Sequence, residues 1–303
     1  MKTLVTGATG FIGRRLMQPD YRALVRNPAG FRHEVVGDLL DRRSLQGACN
    51  RIEVIFHCAG HAHAFSAGPT DIHHDVNFVG VKNLLEAAGQ AGVKRFVFLS
   101  SVKAMAEPGD NCVNEDWPGE PLSPYGRAKR AAEEAVLDAG VQFGMHVVNL
   151  RLAMVYGHGG RGNLERMARA IRSGWFPALP ETGNKRSLVH VQDVVDVMRL
   201  VAERPRASGK TYIVAESKAY SGMEIYEAIR TALGMSRDPA FTLPAGLLRT
   251  AARLNGRLAE VVDRLIGSAC YSPARLEREL GWQSRISLAE GLSEMLAFSG
   301  AKL

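Results

Sequence analysis

The sequence predicts an α/β fold: a doubly wound parallel sheet with a smaller, mostly helical C-terminal domain. Three observations predict it. A short apolar stretch, residues 2–6, runs into three glycines spaced three apart, Gly7, Gly10 and Gly13. Strand-like and helix-like segments then alternate through the first half, which gives a parallel sheet with helices on both faces. After Tyr156 the texture changes to helical periodicity interrupted by Pro and Gly.

Strands are expected at residues 2–6, 21–25, 33–37, 54–57, 95–100 and 146–151. The stretch 96–99 is apolar throughout, as a central parallel strand should be. Helices are expected after Gly10, over 76–91 and over 124–139. Only about seven residues separate Gly13 from the second strand, and Pro19 lies among them, so the first helix is expected to be truncated. Residues 158–163 form a flexible loop. Leu164, Met167, Ala168 and Ile171 then follow the spacing of an amphipathic helix. A strand near 211–214 returns to the sheet. The predicted division is 1–158 plus 189–215 for one domain and 159–188 plus 216–303 for the other.

The glycines define the first chemistry. Gly7 suits a turn with positive φ, Gly10 allows close approach of backbone to a pyrophosphate, and Gly13 allows close packing of the following helix. A strand before and a helix after make this a Rossmann-type dinucleotide-binding element. A glycine-rich turn without a ligand is the duller alternative.

Bulk properties bound the rest. The net charge of +7 comes from scattered basic pairs such as Arg14-Arg15 and Arg42-Arg43. With no stripe and no interleaved aromatics, these suit a site for polyanionic small ligands better than nucleic acid. No apolar run is long enough to span a membrane, and the chain opens directly on a strand, so neither membrane nor export is expected. The stretch 243–265 mixes Leu and Arg, but its Pro and Gly breaks favour ordinary helices over a membrane-surface helix. The four cysteines, Cys49, Cys58, Cys112 and Cys270, show neither paired nor metal-ligand spacing. They are expected as reduced thiols of a cytoplasmic protein without a metal.

The second motif is Ser123-Pro124-Tyr125-Gly126-Arg127-Ala128-Lys129. Ser123 can cap a helix that Pro124 opens, which puts Tyr125 and Lys129 on one face. A nearby ammonium lowers a phenol pKa, so Tyr125 is expected to exchange protons near neutral pH. Ser101 ends the strand 95–100 at the carboxyl edge, where open α/β sheets bind ligands. Ser100 is its rival for a substrate contact. His57-Cys58-Ala59-Gly60 ends another strand and should pass close to the cofactor.

With these residues the chain resembles the extended short-chain dehydrogenases/reductases, in particular the NAD-dependent epimerase/dehydratase type that acts on nucleotide-diphosphate sugars. TGATGFIG (residues 6–13), the Tyr125/Lys129 pair, Val155-Tyr156-Gly157 and Arg186-Ser-Leu-Val-His190-Val-Gln-Asp193 carry the resemblance, although Leu152 and His158 stand where prolines are usual. It implies that Gly7, Gly10, Phe11, Ile12, Gly13, Asp38, Leu39, Cys58, Ala59, Gly60, Tyr125 and Lys129 bind the cofactor. It implies catalytic roles for Ser101, Tyr125 and Lys129, with Asn77 holding the lysine in place. Arg186, Asn163 and Arg264 are implied as contacts of the substrate diphosphate, and Lys103 as a further substrate residue. A homodimer is implied, formed through the helices that carry Asn77 and Tyr125.

Two departures refine this. Arg26 stands after the second strand where an acid normally binds the ribose of NAD. It can pair with a 2′-phosphate, which favours NADP, or stack on adenine with NAD. Val102-Lys103 replaces the Asp-Glu pair of family dehydratases, which disfavours water elimination. The leading expectation is reduction of a 4-keto group on a UDP-hexosamine-type sugar, with Tyr125 as proton donor. The alternatives are a C4 epimerase that keeps NAD bound, a reductase of steroid-like or flavonoid-like alcohols, and a non-catalytic dinucleotide sensor.

Overall fold

The structure is a computed structural model and describes residues 2–61, 72–160, 162–174, 176–235, 244, 246 and 266–297. In chain order the strands are β1 (Thr3–Thr6), β2 (Arg22–Val25), β3 (Glu34–Val36), β4 (Val54–His57), β5 (Arg95–Ser101), β6 (Cys112–Val113), β7 (His146–Leu152), β8 (Met154–Tyr156), β9 (Leu188–His190), β10 (Lys210–Val214) and β11 (Cys270–Tyr271). Seven of them form one sheet in the order β10-β7-β5-β4-β1-β2-β3, and every pairing is parallel. The chain reverses its direction of winding between β1 and β4, so the ligand crevice lies beyond their carboxyl ends.

The helices are α1 (Phe11–Leu16), α2 (Arg42–Cys49), α3 (Ile72–His74), α4 (Gly80–Gln90), α5 (Pro124–Phe143), α6 (Asn163–Arg172), α7 (Val191–Glu203), α8 (Gly222–Ala232), α9 (Ala274–Leu280) and α10 (Leu288–Ala297). Helix α1 is truncated as expected, at six residues. Pro19 explains it: the residue before a proline is pushed out of the α region, so the helix cannot run through Gln18.

Strand periodicity builds two cores. In β5, Phe96 and Phe98 point to the layer of α2, α4 and α5, while Val97 and Leu99 point to the layer of α7 and α9. Both phenylalanines are fully buried, and each contributes roughly 1.5–3 kcal/mol by leaving water. A third core, around Tyr156, Leu164, Ile171, Tyr226 and Leu292, joins α6, α8 and α10 in the helical C-terminal region. Strand β10 returns to the sheet beside β7, as expected.

The cysteine expectation is overturned. Cys112 and Cys270 form a disulfide across 158 residues of sequence. Spacing could not show this, because the pairing is made by the two-residue ladder of β6 and β11, which sets Cys270 opposite Cys112. Cys49 and Cys58 are free thiols. Among the described residues no helix is long and apolar enough to cross a membrane, and no cluster could hold a metal ion. All of 243–265 except positions 244 and 246 lies outside them.

Candidate active site

The site gathers at the carboxyl edge, beyond β1, β4 and β5. Gly7 adopts φ +67°, and a Cβ there would strike the backbone of Cys58 and Ala59 at 2.7–2.8 Å. The turn after β1 therefore presses against the turn after β4, and only glycine permits it. Gly7 also accepts a hydrogen bond from Gly10 N (2.9 Å), and a Cβ on Gly13 would collide with the Gly7 carbonyl. Phe11 and Ile12 open α1 directly after this turn. Asp38 and Leu39 follow β3. Asp38 is exposed and accepts from Leu40 N, while Leu39 is buried and its carbonyl accepts from Asn83. Arg26 is exposed at the carboxyl end of β2.

Lys129 and Asn77 converge on Gly60. A Cβ at Gly60 would lie 3.0 Å from Asn77 Oδ1 and 3.5 Å from Lys129 Nζ. Asn77 is buried on a π-helical turn, Asp75–Val79, a local widening often found at functional sites. Its amide accepts from His61 N (2.7 Å) and donates to His61 O (2.9 Å), which fixes the chain beyond Gly60. Lys129 is buried, donates to Leu99 O (2.8 Å) and lies 4.6 Å from the Phe98 ring centroid. Burial brings its ammonium down to about 8, against the pull of Glu133.

Helix α5 sets the Tyr125 position as the sequence predicts: the Ser123 hydroxyl accepts from Gly126 N (3.0 Å) and Pro124 opens the first turn. The phenol, however, departs from expectation. Burial raises its pKa, and the hydrogen bond with the Ser101 side chain opposes this only in part. The edge of the His73 ring packs on Tyr125 (centroids 5.7 Å apart), and His61 lies 5.2 Å from His73.

The two serines at the end of β5 differ sharply. Ser100 is buried and donates to Glu133 Oε1. Glu133 in turn holds Arg151 in a fork, with Nε at 3.0 Å and Nη2 at 2.7 Å. Ser101 is only partly buried, meets Tyr125, and accepts from Lys103 N (3.2 Å). Lys103, expected as a substrate residue, pairs with Glu107 at 2.8 Å, both side chains half exposed. His57 is buried between Thr6 (2.7 Å) and the phenylalanines of β5, and burial holds its imidazole neutral, down to about 3.

Beyond β7, whose Leu152 pairs with Ser101, a cavity of about 270 Å3 is lined by Met154, Asn163, Arg166, Met167, Phe176 and Arg186 among others. It brings Asn163 and Arg186 together, as the sequence reading expects. Arg186 Nη1 donates to Gly267 O (2.7 Å). Among the described residues that line the cavity there is no carboxylate. Arg264 lies outside the described residues. Sequence reading missed Arg166, although its place one turn beyond Asn163 on α6 was a usable signal. It also missed Glu133, four residues beyond Lys129 on α5, and His73, four residues before Asn77, although both spacings were usable in the same way.

A glycine-lined turn at a topological switch point, with Ser, Tyr and Lys at the adjacent strand end, defines a short-chain dehydrogenase/reductase enzyme. The chain belongs to the NAD dependent epimerase/dehydratase family, whose sequence profile matches residues 3–215. It is 30% identical over 311 residues to a UDP-glucose 4-epimerase of Vibrio cholerae, covering 96% of this chain and 93% of that one. A 2-alkyl-3-oxoalkanoate reductase of Stenotrophomonas maltophilia is 26% identical over 333 residues, covering 99% and 100%. The structure of MoeE5 in complex with UDP-glucose and NAD superposes with a TM-score of 0.79 at 27% identity, over 99% of each chain.

The residues present fit a dinucleotide. Ammonium carries three N–H donors, and Lys129 uses one on Leu99 among the described residues. Gly60 leaves room where a Cβ would stand between Asn77 and Lys129.

Proposed function

We propose that the protein acts on a UDP-linked hexose at C4, with residues 1–158 and 189–215 holding the cofactor and 159–188 and 216–303 the substrate. The reading is supported above all by one arrangement: Ser101 stands at the carboxyl end of β5 within reach of Tyr125, and Arg166 and Arg186 line a cavity with no carboxylate among its described lining residues. Arginine forks match phosphate oxygens, so Arg186, Asn163 and Arg264 are assigned to the diphosphate. The bound nicotinamide would supply the two-electron redox chemistry. Tyr125 would give or take the proton of the C4 oxygen, and Ser101 would orient that oxygen. Lys129 would hold the ribose, and Asn77 would fix the backbone that frames the lysine.

C4 epimerisation is the favoured outcome, supported by the higher identity to a 4-epimerase (30%) than to a reductase (26%) of similar coverage. Reduction of a 4-keto sugar is the second reading, carried by Arg26, whose exposed position after β2 suits a 2′-phosphate. Denaturing the purified protein and weighing the released dinucleotide separates them. Stoichiometric NAD supports the epimerase. A site emptied by purification that prefers NADPH to NADH, with the preference lost in Arg26→Ala, supports the reductase.

A further inference from the structure

We propose that the Cys112–Cys270 disulfide is a thiol-exchange site that clasps the substrate cleft, and that a dithiol reductant opens it. This rests on reading the Arg186 cavity as the substrate site. One cysteine belongs to the segment that follows Ser101, the other to the segment that holds the cavity residue Arg186. Strand β6 ends the segment that begins at Ser101 and carries Lys103 and Glu107. Strand β11 forms the outer support of Arg186. Gly267 O accepts from Arg186 Nη1 and from Asn184 Nδ2, Ser187 N donates to Ala269 O, and the Ser187 hydroxyl bonds both N and O of Tyr271. Tyr271 is buried within electrostatic reach of both Glu107 and Arg186. A bond from β6 to β11 therefore ties the Ser101 edge to the Arg186 wall.

Beside the disulfide, Met105 and Val113 share a buried apolar cluster with Tyr271, and the polar ties among the described residues are few. The β6–β11 ladder is two residues long, extended by Ser272 N donating to Val113 O (2.8 Å). Arg275 adds an ion pair to exposed Asp116 (2.6 Å) and a longer one to Glu115 (3.6 Å). These contacts leave the segments tethered after reduction, so the cleft loosens while the sheet stays folded.

Access and chemistry agree. Cys112 occupies an exposed position, whereas Cys270 is 2% exposed. An incoming thiolate of the dithiol attacks the Cys112 sulfur, and Cys270 leaves as the thiolate and takes a proton. The second thiol of the reductant then attacks the mixed disulfide and releases Cys112, which is protonated in turn. Two electrons pass to the protein, and the reductant becomes a disulfide. Cys49 and Cys58 are poor competitors, since burial pushes both thiols up to about 12.

The test compares oxidised wild type, dithiothreitol-reduced wild type and the Cys112→Ser and Cys270→Ala variants. Alkylation under denaturing conditions counts the thiols, hydrogen exchange follows segments 105–113 and 266–271, and calorimetry measures UDP and dinucleotide binding. The expected result is two further alkylated thiols on reduction, faster exchange in both segments, and UDP affinity lowered by about fivefold or more with dinucleotide affinity unchanged. Both variants should show three alkylated thiols and match the reduced protein in exchange and UDP affinity. Four alkylated thiols even after treatment with oxidised glutathione, or equal exchange in the two redox states, would overturn the clasp. Faster exchange on reduction in a protein that binds no UDP in either state upholds the clasp and overturns the nucleotide-sugar reading instead.

Discussion

Lys129 donates its buried ammonium to the carbonyl oxygen of Leu99 at 2.8 Å, so the lysine is fixed to the strand that ends at Ser101. Burial makes the charge costly, and the pKa is brought from 10.5 down to about 8. The folded protein thus binds this proton less tightly than the unfolded chain does. Between about pH 8 and 10.5 the unfolded state holds the proton and the folded state does not, so this group makes stability rise with pH across that window, by about 3 kcal/mol at most. Lys129→Met removes the effect. In cofactor-free protein, the stability advantage of Lys129→Met over wild type should shrink from pH 7 to pH 10 in urea titrations. An advantage that stays constant with pH would refute the depressed pKa.

Ser100 and Ser101 are adjacent, yet their substitutions should separate. Ser101→Ala removes the partner of Tyr125 and should lower kcat with little change in unfolding midpoint. Ser100→Ala leaves a Glu133 oxygen short of a donor and should cost about 1–3 kcal/mol of stability while turnover survives. Tyr125→Phe should lower kcat by about 10²–10⁴-fold with dinucleotide binding retained. Turnover at the wild-type rate in Tyr125→Phe would remove the proton role.

The Arg186 cavity yields a binding test. Arg186→Ala should weaken UDP by about tenfold or more, in line with loss of a charge-assisted hydrogen bond. Arg166→Ala should act in the same direction and more weakly, because its side chain is exposed at the cavity rim. Uridine, which lacks phosphate, should bind the wild type and both variants alike. Equal loss of uridine and UDP binding would mean that the arginines hold the fold of the cavity and not an anion.

The Glu133–Arg151 pair is a stability element under the site. Both side chains are buried and joined by a fork. Removing one partner strands the other charge, so Arg151→Met should cost about 3–5 kcal/mol in urea unfolding. The double variant Glu133→Leu/Arg151→Met should recover much of the loss. A double variant as unstable as the sum of the single ones would show that the charges do not act as a pair.

The parts of this molecule that were legible in the sequence share a local cause. The glycines at 7, 10 and 13 sit on one turn, Ser123 caps the helix it precedes, and the apolar run at 96–99 encodes a strand buried on both faces. The Leu164–Ile171 periodicity likewise marked α6. What the sequence hid depends on distance. Cys112 meets Cys270 only through a ladder between segments 158 residues apart. The burial that raises the Tyr125 pKa is set by packing around α5, so it could not be read from a four-residue spacing. Ser100 and Ser101 are alike on paper, and Glu133 distinguishes them only because α5 packs over β5.

The π turn at Asp75–Val79 has a consequence for how this chain tolerates insertions and deletions. Each such turn holds one residue more than the regular helix on either side of it. Deleting a single residue there would restore an unbroken α-helix from Ile72 to Gln90 with the flanking turns in phase, so only the residues of the widened turn would be re-aimed. Leu84, Leu85 and Ala88 would keep their places in the core, while Asn77 would swing away from His61. A one-residue gap at this point is therefore expected to produce a well-folded protein in which the backbone beyond Gly60 has lost its anchor.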